Sequence, residues 1–193
     1  MTTTTHPSPV SSHPGGEKIA PRGLIQRFVF WRLDDFERKL GVSIDYCRLM
    51  ANVSMRAFLK YAKLASVAEY RRALPADASH VARLVAVRDE DCGTCVQIGV
   101  NLARHDGVSP EILRAVLSRR PDQLPPQLAD VYRFAESVVT AADDDELRQR
   151  VRSHYGDEAL VELAIALAAA RTFPIVKRTL GYAKSCSLVQ VTV

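Results

Sequence analysis

Along most of the chain after residue 21, apolar residues recur at the spacing of one helix face, and typical helix starts and stops separate the segments. The clearest start is Ser109-Pro110-Glu111, where a hydroxyl that can cap the helix precedes a proline and an acidic residue in the first turn. Gly41 stands where the C-terminal cap of a first helix requires a left-handed residue. No segment in the middle of the chain reads as a strand. The pattern therefore predicts an all-α fold with about eight helices.

Individual helix boundaries follow from the same signals. The first helix is predicted over 22–40, and the helix that carries two closely spaced cysteines is predicted to end near Asp106-Gly107. A last long helix begins after Gly156, and Pro174 within it is expected to impose a kink or a break. The residues predicted to cap or open the other helices are Ser43, Asn52, Asp77 or Ser79, Asp91, Asp143 to Asp145 and Asp157.

The chain is interpreted as four parts, of which the two ends are distinguished by their composition. Residues 1–17 are mostly Thr, Ser, His, Pro and Gly, and this segment has too little apolar surface to offset the entropy of ordering, so a disordered tail is predicted. Residues 18–64 are interpreted as a helical extension and 65–187 as the main helical domain. The β-branched ending, 188–193, is interpreted as a C-terminal tail.

Charge and cysteine usage narrow the class of protein. The net charge of +4 comes from charges interspersed along helices, without a basic cluster that contains aromatic residues, so no nucleic acid is expected as a partner. The longest apolar run, 160–176, contains charged residues and a proline, and the N-terminus lacks the pattern of a secretory signal, so no membrane partner is expected. Four cysteines, of which only Cys92 and Cys95 are close in sequence, favour a cytoplasmic location over a secreted disulfide framework.

Cys92 and Cys95 lie in the segment DEDCGTC. Thiols at this spacing can form a disulfide, supply half of a metal site or lie inertly in a core. If Asp91 caps the helix, the two cysteines lie on the same side and their sulfur atoms can meet. The helix start favours the thiolate by lowering the thiol pKa, whereas the acidic residues 89–91 oppose it. A zinc site normally needs about four ligands, and no second pair follows, so no metal and no other cofactor is predicted.

The face of the helix that carries the two cysteines continues through Val96, Gly99 and Leu102. Because this stripe is apolar, it directs the pair towards the protein interior or a subunit contact. Two interpretations are compatible with that position, a redox-competent dithiol and a pair of buried, inert cysteines. The spacing of the pair at a helix start favours the dithiol.

The segment 78–116, in which EDCGTC is followed by a helix and then by HDGVSPEILRAV, resembles the alkylhydroperoxidase D / carboxymuconolactone decarboxylase family. The later segments YRFAESVVTA and HYGDEALVELAIALAAARTF are similar to the helices that follow in that family. The resemblance covers most of residues 65–180. It implies an alkylhydroperoxidase D-like helical bundle, here with an N-terminal helical extension, and an assembly of several copies of the chain.

The resemblance also implies roles for the cysteines. In the alkylhydroperoxidase branch the cysteine nearer the C-terminus attacks the peroxide and the other resolves it as a disulfide, so Cys95 would attack and Cys92 would resolve. A histidine after the motif and a glutamate on the preceding helix complete that family's site. In this chain the histidine position is Gly99 and the glutamate position falls near His80. Both positions depart from the family pattern, and a glycine cannot accept a proton.

Two residues could replace the missing proton acceptor. His80 lies on the preceding helix, and an antiparallel turn could bring it near Cys95, although an exposed place in the first helical turn is equally compatible. Glu90 could act as a short-range base, although its acidic neighbours indicate a solvated turn. His80 and Glu90 therefore join Cys92 and Cys95 as candidate catalytic residues.

The leading hypothesis is a thiol-dependent redox protein, similar to hydroperoxide reductases, in which the dithiol cycles to a disulfide. Its expected partners are a hydroperoxide substrate, a thiol reductant protein and further copies of the chain, which Arg171 and Lys177 are predicted to face. In the alternative hypothesis a degenerate family member binds a ligand in the space left by Gly99, or acts as a scaffold. An enzyme similar to lactone decarboxylases, which would not need the dithiol, ranks third.

Overall fold

The computed structural model describes residues 19–90, 92–142, 144–183 and 192–193. Within these ranges the chain is helical without a strand, which confirms the all-α prediction. The predicted tail over 1–17 lies outside the described residues, as does most of the predicted C-terminal tail. The helices are α1 (Leu24–Leu40), α2 (Asp45–Val53), α3 (Met55–Ala68), α4 (Ala76–Arg88), α5 (Gly93–His105), α6 (Pro110–Leu117), α7 (Pro126–Val139) and α8 (Asp145–Thr179), with one 3₁₀ turn at Pro121–Gln123.

Some of the predicted helix ends are found in the structure, whereas the starts predicted at Ser43 and at Asp77 or Ser79 are wrong, because Ile44 and Pro75 are the N-cap residues of α2 and α4. Gly41 ends α1 in the left-handed conformation, with φ of 67°, and Ser109 caps α6 by accepting a hydrogen bond from the Ile112 N–H. The predicted cap at Asn52 is wrong, because Ser54 accepts the Ala57 N–H at the start of α3. Asp91, the predicted cap of α5, lies outside the described residues.

The two helices predicted at the C-terminal end are found on either side of a kink at Gly156, and both are included in α8. The glycine has φ of 86° and ψ of 175°, a conformation that residues with a side chain rarely adopt. Asp144 caps the start of α8 by accepting the Leu147 N–H at 2.9 Å. The break expected at Pro174 does not occur, because α8 remains helical through this residue to Thr179.

Two apolar clusters hold the helices together. The larger one surrounds α4, which packs against α5, α6, α7 and α8 and is therefore apolar on nearly every side. The smaller one joins α1, α2 and α3 and includes Tyr182, beyond the end of α8. In the smaller cluster Arg48 of α2 binds Glu37 of α1 at 2.6 Å and Asp45 at 2.9 Å, so α1 and α2 are also linked by charge.

A buried carboxylate fixes the loop that connects the two clusters. Glu162 of α8 accepts the backbone N–H groups of Arg72, Ala73 and Leu74 at 2.8 to 3.1 Å. Burial on its own raises the pKa of a carboxyl group, but the three backbone hydrogen bonds outweigh it and lower the pKa of Glu162. The loop before α4 is therefore held against α8 by an ionised side chain.

By length and composition alone, α8 is the one helix of the described ranges that could cross a membrane. The core helix of a soluble protein meets the same criteria, and α8 carries buried polar side chains such as Glu162. This observation is therefore weak evidence for a membrane location.

Candidate functional site

The site lies around a cavity of about 480 Å³ that is enclosed by the extension on one side and by α5 and α8 on the other. A volume of this size falls in the range of roughly 300–1,000 Å³ typical of small-molecule pockets. Its wall is mostly apolar. Helices α1, α2 and α3 contribute side chains such as Leu33, Tyr46 and Phe58, and α5 contributes Cys95 and Gly99.

Cys92 and Cys95 form a disulfide at the start of α5, with their Cα atoms 5.2 Å apart. Cys92 is the N-cap residue and has an exposed fraction of 1%, whereas Cys95 has 8% and lines the cavity. The two sulfur atoms are therefore inequivalent. A molecule in the cavity meets Cys95 first, and Cys92 lies behind it.

Arginines compensate the acidic residues beside the dithiol. Asp89 pairs with Arg119, and the Glu90 carboxylate binds Arg171 at 2.9 Å and Arg178 at 3.5 Å. The Glu90 side chain has an exposed fraction of only 11%, so the expected solvated turn is wrong for this residue. Arg171, predicted to face a subunit partner, contacts Glu90 within the same chain. The electrostatic penalty that these acids impose on a thiolate is thereby reduced.

His80 lies at the other end of the α4–α5 hairpin from the dithiol. Its Nε2 atom is 2.9 Å from Asp106 Oδ2, and Asp106 follows α5 directly. Because Asp106 comes eleven residues after Cys95, the two positions are separated by about 16 Å along the helix axis. Burial lowers the pKa of His80 despite the hydrogen bond to Asp106. The hairpin therefore brings His80 to Asp106, and the expected place beside Cys95 is not found.

Gly99 is explained by helix packing. A Cβ atom at this position would lie 2.9 Å from Cδ2 of Leu84, a fully buried residue of α4. Real Cβ atoms do not approach that closely, so the glycine allows α4 and α5 to come together. A histidine side chain at residue 99 would require Leu84 to move.

Gly99→Ala is expected to lower the free energy of unfolding by about 1 kcal/mol. Overpacking against Leu84 costs about 1–3 kcal/mol, which exceeds the gain of about 1 kcal/mol that alanine has over glycine in a helix. Urea unfolding measures the change. In a Leu84→Ala background the same replacement is expected to stabilise the protein, because the overlap is gone. An equal cost in both backgrounds would contradict the close contact.

Several polar residues of the cavity were not among the candidate residues. Lys177, predicted to face a subunit partner, has an exposed fraction of 2% and lines the cavity. The hydroxyl groups of Tyr46 and Tyr61 lie 3.2 Å apart, and burial raises the pKa of the nearby Cys47 thiol to about 12. In the sequence, the part of the cavity wall that α8 contributes could have been found as a stripe of residues at helical spacing that ends in a cation. These residues are Ala166, Ala170, Phe173 and Lys177.

Comparisons with protein-family models, with curated proteins and with solved structures find no match for this chain. Within the described ranges, no group of three or more His, Cys, Asp and Glu side chains is arranged to hold a metal ion. The chemistry of the site therefore has to be argued from the dithiol and the cavity.

Proposed function

We propose that this protein is a thiol-dependent hydroperoxide reductase of the alkylhydroperoxidase D-like class, acting in the cytoplasm. One observation carries the proposal: the disulfide-forming pair is oriented so that Cys95 lines a cavity and Cys92 lies behind it. This is the arrangement that an attacking thiol and a resolving thiol need. The family assignment rests on the sequence resemblance described above.

The proposed cycle has three steps. The Cys95 thiolate attacks the terminal oxygen of the hydroperoxide, the O–O bond breaks, the alkoxide leaves as an alcohol after taking a proton, and the sulfur becomes a sulfenic acid. The Cys92 thiolate then attacks that sulfur, and hydroxide leaves as water after taking a proton. An external dithiol finally reduces the disulfide, supplying two electrons and two protons while it is itself oxidised.

The proton acceptor of the alkylhydroperoxidase site has no counterpart at Gly99 or His80 in this arrangement. Glu90 is held by two arginines, so its role is proposed as electrostatic and positional. Ionisation of Cys95 then depends on solvent and on the helix start. The rate of attack should therefore rise with pH as more of the thiol becomes thiolate.

Self-assembly is part of the proposal. The outer face of α1 exposes four large apolar residues, more than an isolated helix surface usually presents as one patch. Such a patch supports an interface with a second copy of the chain. The residues are Leu24, Ile25, Phe28 and Trp31.

The test is to follow the thiols through one oxidation. Fully reduced protein is treated with one equivalent of tert-butyl hydroperoxide, alkylated and digested, and the peptides are identified by mass spectrometry. We expect Cys92 and Cys95 to be recovered as a disulfide, with Cys47 still alkylated only after unfolding because it is buried. A protein whose two thiols remain free and unreactive under these conditions would contradict the redox function.

A second candidate function is ligand binding without chemistry. The cavity and the absence of an imidazole at Gly99 favour it. In that case Cys95→Ser leaves ligand affinity unchanged, and the wild-type protein consumes no hydroperoxide.

A further inference from the structure

Lys177 is a buried cation that faces the cavity. Its exposed fraction is 2%, and its Nζ atom lies 5.8 Å from the centre of the Tyr46 ring. Among the residues that the structure describes, none forms a hydrogen bond or an ion pair with this amine. An ammonium group in a largely buried position loses most of its hydration, and an anion bound in the cavity would offset that loss. The free donors therefore point to an anionic group in the cavity.

The surroundings of Lys177 supply further donors. Tyr46 and Tyr61 have two hydroxyl protons between them, and a single hydrogen bond of 3.2 Å joins the two oxygen atoms. When Tyr46 donates this bond, the Tyr61 hydroxyl proton is available to another acceptor. An ammonium group with a neighbouring phenol is a suitable pair of donors for a carboxylate.

The charged residues elsewhere in the wall also favour an anion. They are two arginines, Arg32 and Arg83, and one acid, Glu69, so with Lys177 the cations outnumber the anions by three to one. Lys177 differs from the arginines in its environment. Arg32 is exposed and Arg83 donates to the Ala68 carbonyl oxygen, whereas Lys177 is buried and free of such a bond.

The remaining wall is suited to a hydrocarbon chain. It consists of aliphatic and aromatic side chains from six helices, among them Leu33, Phe36, Phe58, Ile98, Leu102 and Phe173. Contact with such surfaces stabilises an apolar ligand in proportion to the area removed from water. A molecule that satisfies both parts of the cavity has one anionic end and one long apolar part.

We propose that the cavity binds a long-chain carboxylic acid, with its carboxylate on Lys177 and Tyr46 or Tyr61 and its chain against the apolar wall that includes Cys95. A hydroperoxide carried on such a chain is then the substrate of the dithiol, and this second statement rests on the proposed function. The binding statement does not depend on any redox chemistry.

Binding is tested with the full chain in its disulfide form, using dodecanoate as the probe and dodecanol as its uncharged counterpart. Calorimetric titration is expected to show dodecanoate binding at least roughly tenfold more tightly than dodecanol, because only the acid forms a charge-assisted bond. Equal affinities for the two, or no binding of either, would overturn the proposal without the need for any variant.

Lys177→Met keeps the length of the side chain and removes the amine. We expect the variant to lose roughly tenfold or more in affinity for dodecanoate and little for dodecanol. Lys63→Met, on the exposed surface of α3, is the matched control and should bind as the wild type does. If Lys177→Met binds dodecanoate as tightly as the wild type does, the carboxylate binds to another residue and its proposed position on Lys177 is wrong.

The substrate statement is separated from the proposed function by two hydroperoxides. A hydroperoxide of linoleic acid carries the carboxylate, and tert-butyl hydroperoxide does not. We expect the first to have the lower KM, and Lys177→Met to remove that advantage while the reaction with tert-butyl hydroperoxide continues. Oxidation of the dithiol by both compounds with equal KM would overturn the substrate class and leave the reductase. Dodecanoate binding without any oxidation would overturn the reductase and leave only the binding statement.

Discussion

Cys95→Ser is expected to abolish hydroperoxide reduction, with a loss of about three orders of magnitude or more in turnover, because a serine hydroxyl cannot replace the thiolate nucleophile. Cys92→Ser is expected to fail differently. It retains the first step, since Cys95 still faces the cavity, but stops at the sulfenic acid after one equivalent of peroxide. Stopped-flow measurement of tert-butyl hydroperoxide consumption by each reduced variant distinguishes the two, and trapping with dimedone identifies the sulfenic acid. Dithiothreitol is removed beforehand, because it would itself reduce a sulfenic acid.

Cys186→Ser is the matched control for these variants, because it removes a thiol that the proposed cycle does not use. Its turnover should equal that of the wild type. If dimedone traps a sulfenic acid in Cys186→Ser and none in Cys92→Ser, the resolving role belongs to Cys186. If Cys92→Ser and Cys95→Ser lose activity at the same step, the two cysteines do not have the separate roles that their positions indicate.

Glu162→Gln is expected to cause the largest loss of stability, about 3 kcal/mol or more. The amide that replaces one carboxylate oxygen carries N–H donors, so backbone N–H groups of Arg72, Ala73 and Leu74 lose a charged acceptor, and that of Leu74 remains buried. Chemical denaturation measures the difference. Glu158→Gln, on the exposed face of α8, is the matched control and should change stability by less than about 0.5 kcal/mol.

The same residue gives a signed pH dependence. Because the pKa of Glu162 is lower in the folded protein than its ordinary value of 4.5, the unfolded chain binds the proton more tightly. The stabilisation is therefore complete above pH 4.5 and is lost as the pH falls through the folded-state pKa. The difference in stability between wild type and Glu162→Gln should narrow over that acidic range. A difference that is independent of pH would show that the carboxylate is not ionised in the fold.

Local features of the fold could be predicted from the sequence, because the signals and their consequences lie within a few residues. Gly41 and the Ser109-Pro110 start are examples, since a cap acts on the N–H and C=O groups of its own helix. The wrong prediction of Asn52 as the cap of α3 also concerns local signals. Asn52 and Ser54 both have side chains that can cap a helix, and only Ser54 caps α3.

Features that depend on tertiary contacts could not be predicted from the sequence. The partner of His80 depends on how far α5 extends along α4, which a count of helical turns does not determine. Glu162 accepts hydrogen bonds from a loop about 90 residues earlier in the chain. The prediction that Lys177 faces a subunit partner follows from the resemblance to a family of homo-oligomers, and the cavity that Lys177 faces is formed only when the extension packs on α8.

The cavity distinguishes this chain from a shorter chain that would carry the same dithiol. Side chains before residue 69, among them Leu33, Tyr46 and Phe58, form one side of the space that Cys95 faces. A chain that began at α4 would carry the same CGTC motif on the same helix, but its nucleophile would open directly onto bulk water. Under the proposed function the motif carries out the electron transfer, and the preceding helices set the size and polarity of the molecules that reach Cys95. Selectivity and reactivity would then be encoded in separate parts of the chain.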